Sequence, residues 1–73
     1  MDETEADKDR NFVTALARGL DILRCFEVTD MALTNSAFAQ RTGLPKATVS
    51  RLTHTLCSLD YLVADPRTGT YRL

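Results

Sequence analysis

The sequence has few of the residues that would place it in several common classes of protein. Its 73 residues include 2 cysteines, 3 glycines, 2 prolines and no tryptophan. Cys25 and Cys57 are too widely separated for a disulfide framework, and the His54/Cys57 pair is at most half of a metal site, so neither a metal nor a cofactor is expected. No apolar run is long enough for a membrane span, and residues 1–10 are charged, unlike a signal peptide. These absences predict a cytoplasmic protein.

The sequence also lacks the features of an enzyme. No acidic residue lies at helical spacing from His54, no cysteine or serine is visibly paired with a base, and no glycine-rich loop could cradle a phosphate. A chain this short scarcely encloses a pocket in which catalytic groups could converge. Its length and 44% hydrophobic content instead indicate one small domain, near the lower limit for a self-supporting core.

Charge is distributed unevenly, although the formal net charge is only −1. Residues 1–10 contain five acidic and two basic side chains and no apolar periodicity, which predicts a disordered acidic tail. Residues 35–73 contain five basic and two acidic side chains. This basic half is compatible with a nucleic-acid partner, and the tail either aids solubility or competes for the basic surface.

Two helices joined by a tight turn are predicted within residues 33–59. Thr34 is a suitable N-cap for the first helix, over residues 35–42, because its hydroxyl can accept a bond from a backbone N–H. Gly43 can close that helix in the left-handed conformation. Pro45 is well tolerated where the next helix starts. The pattern is that of a helix-turn-helix.

The second helix, about Lys46 to Leu59, has two different faces. One is an apolar stripe that is expected to pack on a core, and it contains Val49, Leu52, Leu56 and Leu59. The opposite face has small, polar or cationic side chains, namely Ala47, Ser50, Arg51, His54 and Ser58. Small residues permit close approach and polar ones can bond base edges, so this face suits a DNA major groove. The alternative is an ordinary solvated face.

A further helix is predicted from Asn11 to about Val28, with Thr14 as its cap. Its helically spaced leucines are expected to pack under the other two helices: Leu16, Leu20 and Leu23. Four more apolar residues widen this face: Phe12, Ala15, Ile22 and Phe26. These four indicate a dimer interface or a contact with the rest of a longer chain, unless they complete the core of the domain itself.

The C-terminal residues predict a β-hairpin. Residues 61–64 and 70–73 have strand character, and residues 65–69 are rich in turn formers. The hairpin is expected to lean on the helices through Leu62, Tyr71 and Leu73. Arg67 at its tip can reach a phosphate or a minor groove, or remain a solvated loop residue. The predicted fold over residues 11–73 is mainly α with a small β-hairpin: a winged helix-turn-helix of three helices plus a two- or three-stranded wing.

Three segments combine into a specific pattern: ALARGLDIL, LTNSAFAQRTGLPKATVSRLTHTLCSLDYL and ADPRTGTYRL. Together they resemble the N-terminal DNA-binding domain of the IclR family of bacterial transcriptional regulators, across residues 12–73. The resemblance implies a dimer that binds a palindromic operator as repressor or activator. It also implies a C-terminal domain, absent from this chain, that binds a small-molecule effector. One departure is Asp60, where similar members typically have glycine, so an altered turn into the wing is expected.

The expected function is sequence-specific binding of double-stranded DNA in transcriptional control, with a protein interaction module of the same fold as the alternative. Lys46 is expected to contact phosphate together with the backbone N–H groups at the helix start. Ser50 and Arg51 are expected to contact base edges, with phosphate as the alternative for Arg51. Five further residues are candidates for other DNA contacts: Thr34, Ala47, Thr48, His54 and Arg67.

Overall fold

The computed structural model describes residues 10–73, in which three helices pack with a three-stranded antiparallel sheet. In chain order the elements are α1 (Thr14–Arg24), β1 (Leu33–Thr34), α2 (Asn35–Thr42), α3 (Lys46–Ser58), β2 (Val63–Asp65) and β3 (Thr70–Arg72). The predicted winged helix-turn-helix is confirmed. Apart from Arg10, the segment predicted to be a disordered acidic tail lies outside the described residues.

The turn between α2 and α3 has the chemistry that the sequence predicts. The Thr34 hydroxyl accepts a hydrogen bond from the Ala37 N–H at 3.1 Å, which makes Thr34 the N-cap of α2. Gly43 closes this helix with φ +76°, and its N–H donates back into the last turn at 2.9 Å. Pro45 is the N-cap residue of α3. Local chain chemistry therefore sets where α2 begins and ends and where α3 begins.

The core lies where the helices meet the sheet. Its buried apolar side chains come from all three helices, from β1 and from the start of the wing: Ile22, Leu33, Phe38, Val49 and Leu62. Two further rings contact Phe38, with centroid distances of 5.6 Å for Phe26 and 6.2 Å for Tyr71. Burial of this cluster holds together short elements that would be unstable alone.

Helix α1 is shorter than predicted. Val13 occupies its N-cap position without a side-chain bond, so Thr14 is the first helical residue and not the cap. The helix also ends before the predicted Val28. A separate turn follows it, in which the Asp30 carboxylate accepts a hydrogen bond from the Glu27 N–H at 2.9 Å. A side chain that bonds nearby backbone offers the chain an alternative to the helix, which accounts for the early end.

The face of α1 that packs on the core also differs from the prediction. Ile22 is fully buried and Leu23 is half-buried, whereas Leu16 and Leu20 are 61% and 48% exposed. The prediction that Leu16 and Leu20 pack under the other helices was therefore wrong. The apolar arc of this helix is wider than one stripe, and periodicity alone does not indicate which part of a wide arc is covered.

Two predicted core contacts at the ends of elements are exposed. Leu59 is the C-cap residue of α3 and Leu73 follows the last residue of β3, and both side chains are more than half exposed. Each lies just outside its element, so the periodicity of that element no longer governs where the side chain points. Leu62 is buried and Tyr71 packs on the core, as predicted.

The wing has three strands, the larger of the two predicted alternatives. β3 lies between β1 and β2 and pairs antiparallel with both, so that Tyr71 has Leu33 as its partner on one side and Ala64 on the other. β1 runs directly into α2, because Thr34 is both its last residue and the helix N-cap. The sheet is thereby attached to the first helix of the helix-turn-helix.

The turn from α3 into the wing is centred on Asp60. Its φ is +67°, and no other non-glycine residue in the described part of the chain has a positive φ. The Asp60 N–H donates to the Cys57 carbonyl at 3.1 Å, and the Tyr61 N–H donates to the Leu56 carbonyl at 2.8 Å. This is the Schellman arrangement, in which the left-handed residue is usually glycine. The expected alteration of the turn is not found, because Asp60 itself adopts the left-handed conformation.

Replacing Asp60 with glycine is expected to stabilise the fold. The left-handed conformation costs an L-residue roughly 1–2 kcal/mol, and glycine avoids that cost but loses more entropy on folding. We therefore expect Asp60→Gly to raise the free energy of unfolding by up to about 1 kcal/mol, and Asp60→Ala to lower it. Urea unfolding of the three proteins measures both effects. A glycine variant no more stable than the original would mean that the Asp60 side chain compensates for the strain.

An ion pair ties the connection after α1 to α2. The Arg41 Nη1 atom lies 2.6 Å from Asp30 Oδ2 and donates to the Cys25 carbonyl at 2.8 Å. The hydrogen bond from Arg41, followed by that from the Glu27 N–H, lowers the pKa of Asp30. Arg41 is one of the five basic residues in residues 35–73, and its charge is used within the domain.

Acid is expected to weaken this ion pair. The pKa of Asp30 in the folded protein is below its ordinary value of 3.8, so the unfolded chain binds the proton more readily. The stabilisation is therefore complete above 3.8 and is lost as the pH falls through the lower, folded-state pKa. Asp30→Asn should be less stable than the original near neutral pH, and the difference should shrink in acid. Chemical unfolding across a pH series measures it, and a difference that stays constant into acid would contradict this role.

Candidate nucleic-acid interface

Helix α3 has an exposed face opposite the side that packs on the core. Val49 is fully buried, and Leu52 and Leu56 are half-buried, as predicted. The outer face of α3 is the name used here for the exposed residues on the other side, Ala47, Ser50, Arg51, His54 and Ser58, together with the exposed Lys46 in the first turn. Part of this face forms a shallow depression of about 320 Å³, lined by Ser50, Arg51, His54 and Thr55. No other element in the described part of the chain covers this side of the helix. A helix face must be uncovered in this way to enter a major groove.

The positive charges of the outer face are available to an anionic partner. Among residues 10–73 the ion pairs are made by Arg41 and Arg67, and no carboxylate lies within ion-pair distance of Lys46 or Arg51. The first turn of α3 contains no acidic residue and has no side-chain cap. Its backbone N–H groups have no partner within the helix, so they add partial positive charge beside Lys46.

The two threonines predicted to be near DNA lie in different environments. Thr34 is exposed, and its hydroxyl oxygen accepts the Ala37 N–H, which leaves the hydroxyl proton able to donate. Thr48 is half-buried and lines a groove between α1 and α3 instead of the outer face. Thr34 thus has an exposed donor for a phosphate, while Thr48 faces the groove between α1 and α3.

Arg67 lies at the tip of the wing, as predicted. The backbone N–H of Arg67 donates to Asp65 Oδ1 at 3.0 Å, which shapes the turn. The side-chain Nε of Arg67 lies 3.8 Å from the same oxygen. The Arg67 side chain is 89% exposed, so solvent screens this ion pair and makes it weak. The guanidinium can therefore exchange the carboxylate for a phosphate at little cost.

Sequence reasoning missed the role of Thr53 on α3. It is fully buried, and its Oγ1 lies 3.0 Å from Asn35 Oδ1 and 3.1 Å from the Ser50 carbonyl. Asn35 Nδ2 in turn lies 3.4 Å from the Tyr71 hydroxyl. The available signal was a hydroxyl residue inside the stripe of apolar residues, because a polar group at such a position needs a partner.

A groove runs between α1 and α3 and is called here the α1–α3 groove. Its volume is about 650 Å³, and its apolar wall includes Leu16, Gly19, Leu20, Leu52, Leu56 and Leu59. Arg51 borders both this groove and the depression on the outer face. The groove therefore places exposed leucines directly beside the cationic surface of α3.

The four residues predicted for a dimer interface divide into two pairs. Phe12 is exposed, and Ala15 is exposed and lines the α1–α3 groove. Ile22 is fully buried, so the prediction was wrong for this residue. Phe26 is half-buried and packs against Phe38, and its place in a dimer interface stays a prediction. Ile22 completes the core of the domain itself, which was the alternative. An uncovered apolar face does exist, but it is formed by the leucines that were assigned to the core.

The described residues contain neither a metal-binding cluster nor a membrane-spanning helix. Within residues 10–73, no three His, Cys, Asp or Glu side chains are grouped to hold a metal ion, and no helix is both long and apolar enough to cross a bilayer. Cys25 and Cys57 are free and half-buried. Burial raises the pKa of both thiols, which makes them less reactive.

Comparison with curated proteins identifies two regulators as relatives. The chain is 56% identical over 55 residues to the HTH-type transcriptional regulator TsaQ1/TsaQ2 of Comamonas testosteroni, which covers 75% of this chain and 19% of that protein. It is 42% identical over 60 residues to the Pca regulon regulatory protein of Pseudomonas putida, covering 82% and 21%. The chain thus spans about a fifth of the length of these relatives.

Solved structures and a family model agree with this comparison. The fold matches an IclR family transcriptional regulator from Brucella abortus with a TM-score of 0.87 and 61% identity, over 90% of this chain and 25% of that one. It matches an IclR homolog from Microbacterium hydrocarbonoxydans, complexed with 4-hydroxybenzoate, with a TM-score of 0.75 and 30% identity, over 81% and 24%. The family model for the IclR helix-turn-helix domain matches residues 15–66. The chain is a DNA-binding helix-turn-helix domain, and it belongs to the IclR family of transcriptional regulators.

Proposed function

We propose that this domain binds duplex DNA sequence-specifically, with the outer face of α3 in a major groove and the wing beside it. The observation that carries the proposal is the exposure of Ser50, Arg51 and His54 on the side of α3 opposite the buried Val49. Bound near a promoter in the cytoplasm, the protein would act as a repressor or an activator. Membership of a family of transcriptional regulators supports this placement.

Each residue of the proposed interface has a role that follows from its chemistry. Lys46 and the N–H groups at the start of α3 hold a phosphate, because both present positive charge at the same end of the helix. Ser50 and Arg51 contact base edges, for which their donors and acceptors are suited. Ala47 permits close approach of the helix. Three residues make peripheral or phosphate contacts: Thr34, His54 and Arg67.

We further propose that the natural protein includes a C-terminal domain that binds a small-molecule effector. The curated relatives are about five times as long as the segment that they share with this chain. One IclR homolog of the same fold has been solved with 4-hydroxybenzoate bound. Small aromatic carboxylates are therefore the first class of effector to test, and residues 11–73 form the unit that contacts DNA.

Replacing two cations separately is expected to distinguish base reading from phosphate binding. On duplexes selected from a random pool, Arg51→Ala should weaken binding by roughly 1–3 kcal/mol while changing affinity for random duplex far less. Lys46→Ala should weaken binding to all duplexes alike. It should also reduce the slope of log affinity against log salt concentration by about one, the value for one lost phosphate contact. Dissociation constants over a salt series measure both effects.

A matched control is Arg24→Ala, since Arg24 is exposed at the end of α1 and lies outside both the outer face and the α1–α3 groove. It should leave both affinities nearly unchanged. An equal loss on selected and random duplex for Arg51→Ala would make Arg51 a phosphate contact. Binding that does not strengthen as salt falls would favour the protein interaction module instead.

We propose that the domain pairs with a second copy through the α1–α3 groove. Leu16 and Leu20 are exposed on α1, at the edge of a groove whose other wall is α3. One copy therefore offers a ridge of leucines and a recess that could receive the same ridge of a second copy. A two-fold contact requires this kind of self-complementary face. Exposed leucines in contiguous apolar surface are also unfavourable in water, which favours covering them. A dimer of this kind would bind two half-sites of a palindromic operator.

Charge placed in the groove is expected to separate the two copies. Leu20→Asp should reduce affinity for duplexes with two half-sites, about one helical turn or a multiple apart, by more than it reduces affinity for a single half-site. Val28→Asp is the control, because Val28 is fully exposed and lies outside the groove. Sedimentation velocity with each duplex gives the stoichiometry. Equal binding by both variants to paired half-sites would rule out the groove as the contact.

A further inference from the structure

We propose that Asn35 is a positioning residue for DNA reading, which fixes the orientation of α3 relative to the wing. This inference rests on the proposed function, in that it explains how the two DNA-contacting elements are held together. Asn35 is the first residue of α2 and is half-buried. Its amide oxygen lies next to the Thr53 hydroxyl on α3, and its amide nitrogen lies next to the Tyr71 hydroxyl on β3. One side chain thus bridges the helix and the wing.

The contact between Thr53 and Asn35 is the stronger part of this bridge. Thr53 Oγ1 donates at 3.0 Å to Asn35 Oδ1, within the ordinary range for a hydrogen bond, and Thr53 is fully buried. A threonine inside a helix can satisfy its hydroxyl on its own backbone, and the Ser50 carbonyl lies 3.1 Å away for that purpose. Asn35 is therefore not needed to satisfy Thr53. What the contact adds is a directional constraint on the rotation of α3.

The contact with Tyr71 is longer and depends on the position of its ring. Asn35 Nδ2 and the Tyr71 hydroxyl oxygen are 3.4 Å apart, near the outer limit for a hydrogen bond. The Tyr71 ring packs beside Phe38, which fixes where its hydroxyl lies. Tyr71 is also paired with Ala64 of β2, so its position is coupled to the strand that leads to the Arg67 tip.

The consequence concerns specificity more than stability. Base reading by Ser50 and Arg51 requires α3 to lie at one angle in the groove, and a wing contact by Arg67 requires the tip to reach its phosphate at the same time. Apolar packing alone permits small rotations of a helix against its neighbours, whereas hydrogen bonds have defined directions. Loss of the bridge should therefore weaken binding to the correct duplex more than binding to random duplex.

The decisive variants are Asn35→Leu and Thr53→Val, which keep approximate volume and remove the polar contact. Each should lower the ratio of selected to random affinity by about fivefold, the equivalent of one neutral hydrogen bond. Thr53 is fully buried and cannot touch DNA, so its effect cannot come from a lost DNA contact. The double variant should lose no more than either single variant, because both remove the same interaction.

Two further variants provide controls within the same bridge. Asn35→Asp keeps an acceptor for the Thr53 hydroxyl, and its added charge should weaken binding to all duplexes alike, leaving the ratio near that of the original protein. Tyr71→Phe keeps the ring beside Phe38 and removes the weaker contact. It should therefore lower the ratio of selected to random affinity by less than Asn35→Leu does. A ratio that falls as far for Asn35→Asp as for Asn35→Leu would overturn the proposal.

A measurement without DNA separates this inference from the proposed function. Residual dipolar couplings of the backbone N–H groups in α3 and in β2 and β3 should fit one common orientation in the original protein and fail to do so in Asn35→Leu. Unchanged couplings in that variant, or an unchanged affinity ratio despite altered couplings, would overturn the proposal. Altered couplings in a protein that never distinguishes DNA sequences would support the bridge and contradict sequence-specific binding instead.

Discussion

The core cluster that contains Val49 of α3 and Phe38 of α2 is the packing on which the rest of the structure depends. Both side chains are fully buried, and they join the two helices of the helix-turn-helix. Because a helix has fixed angular spacing, burying Val49 necessarily turns Ser50, Arg51 and His54 toward solvent. The cationic surface is therefore a consequence of the core. A change in core packing would rotate that surface without altering any residue in it.

Sequence reasoning succeeded where one residue determines local geometry. The hydroxyl of Thr34 caps α2, and Gly43 adopts the left-handed conformation that ends it, because each effect depends only on immediate neighbours. The exposed face of α3 could likewise be predicted, since its apolar stripe is narrow. The helix-turn-helix and its outer face could thus be predicted from the sequence. The strand β1 could not, because a strand of two residues is too short to show a periodic pattern.

Failure occurred where long-range packing decides between equivalent local patterns. On α1, Leu16 and Ile22 are equally apolar, but Ile22, in the last turn, joins the core cluster with Phe38, whereas Leu16, in the first turn, stays exposed. Thr53 was missed for a related reason. Inside the core its hydroxyl meets Asn35 from another helix, and single-helix periodicity contains no information on that partner.

The small net charge does not oppose DNA binding once the charges are located. Arg41 is neutralised by Asp30 within the fold, and Arg67 lies beside Asp65 at the wing tip, so the formal sum counts cations that differ in availability. Arg51, in contrast, is exposed on the outer face and also lines the α1–α3 groove. In the proposed dimer the second copy would lie against the same side chain that reads the DNA. Its rotamers would then be restricted before DNA arrives, which lowers the entropic cost of the base contact.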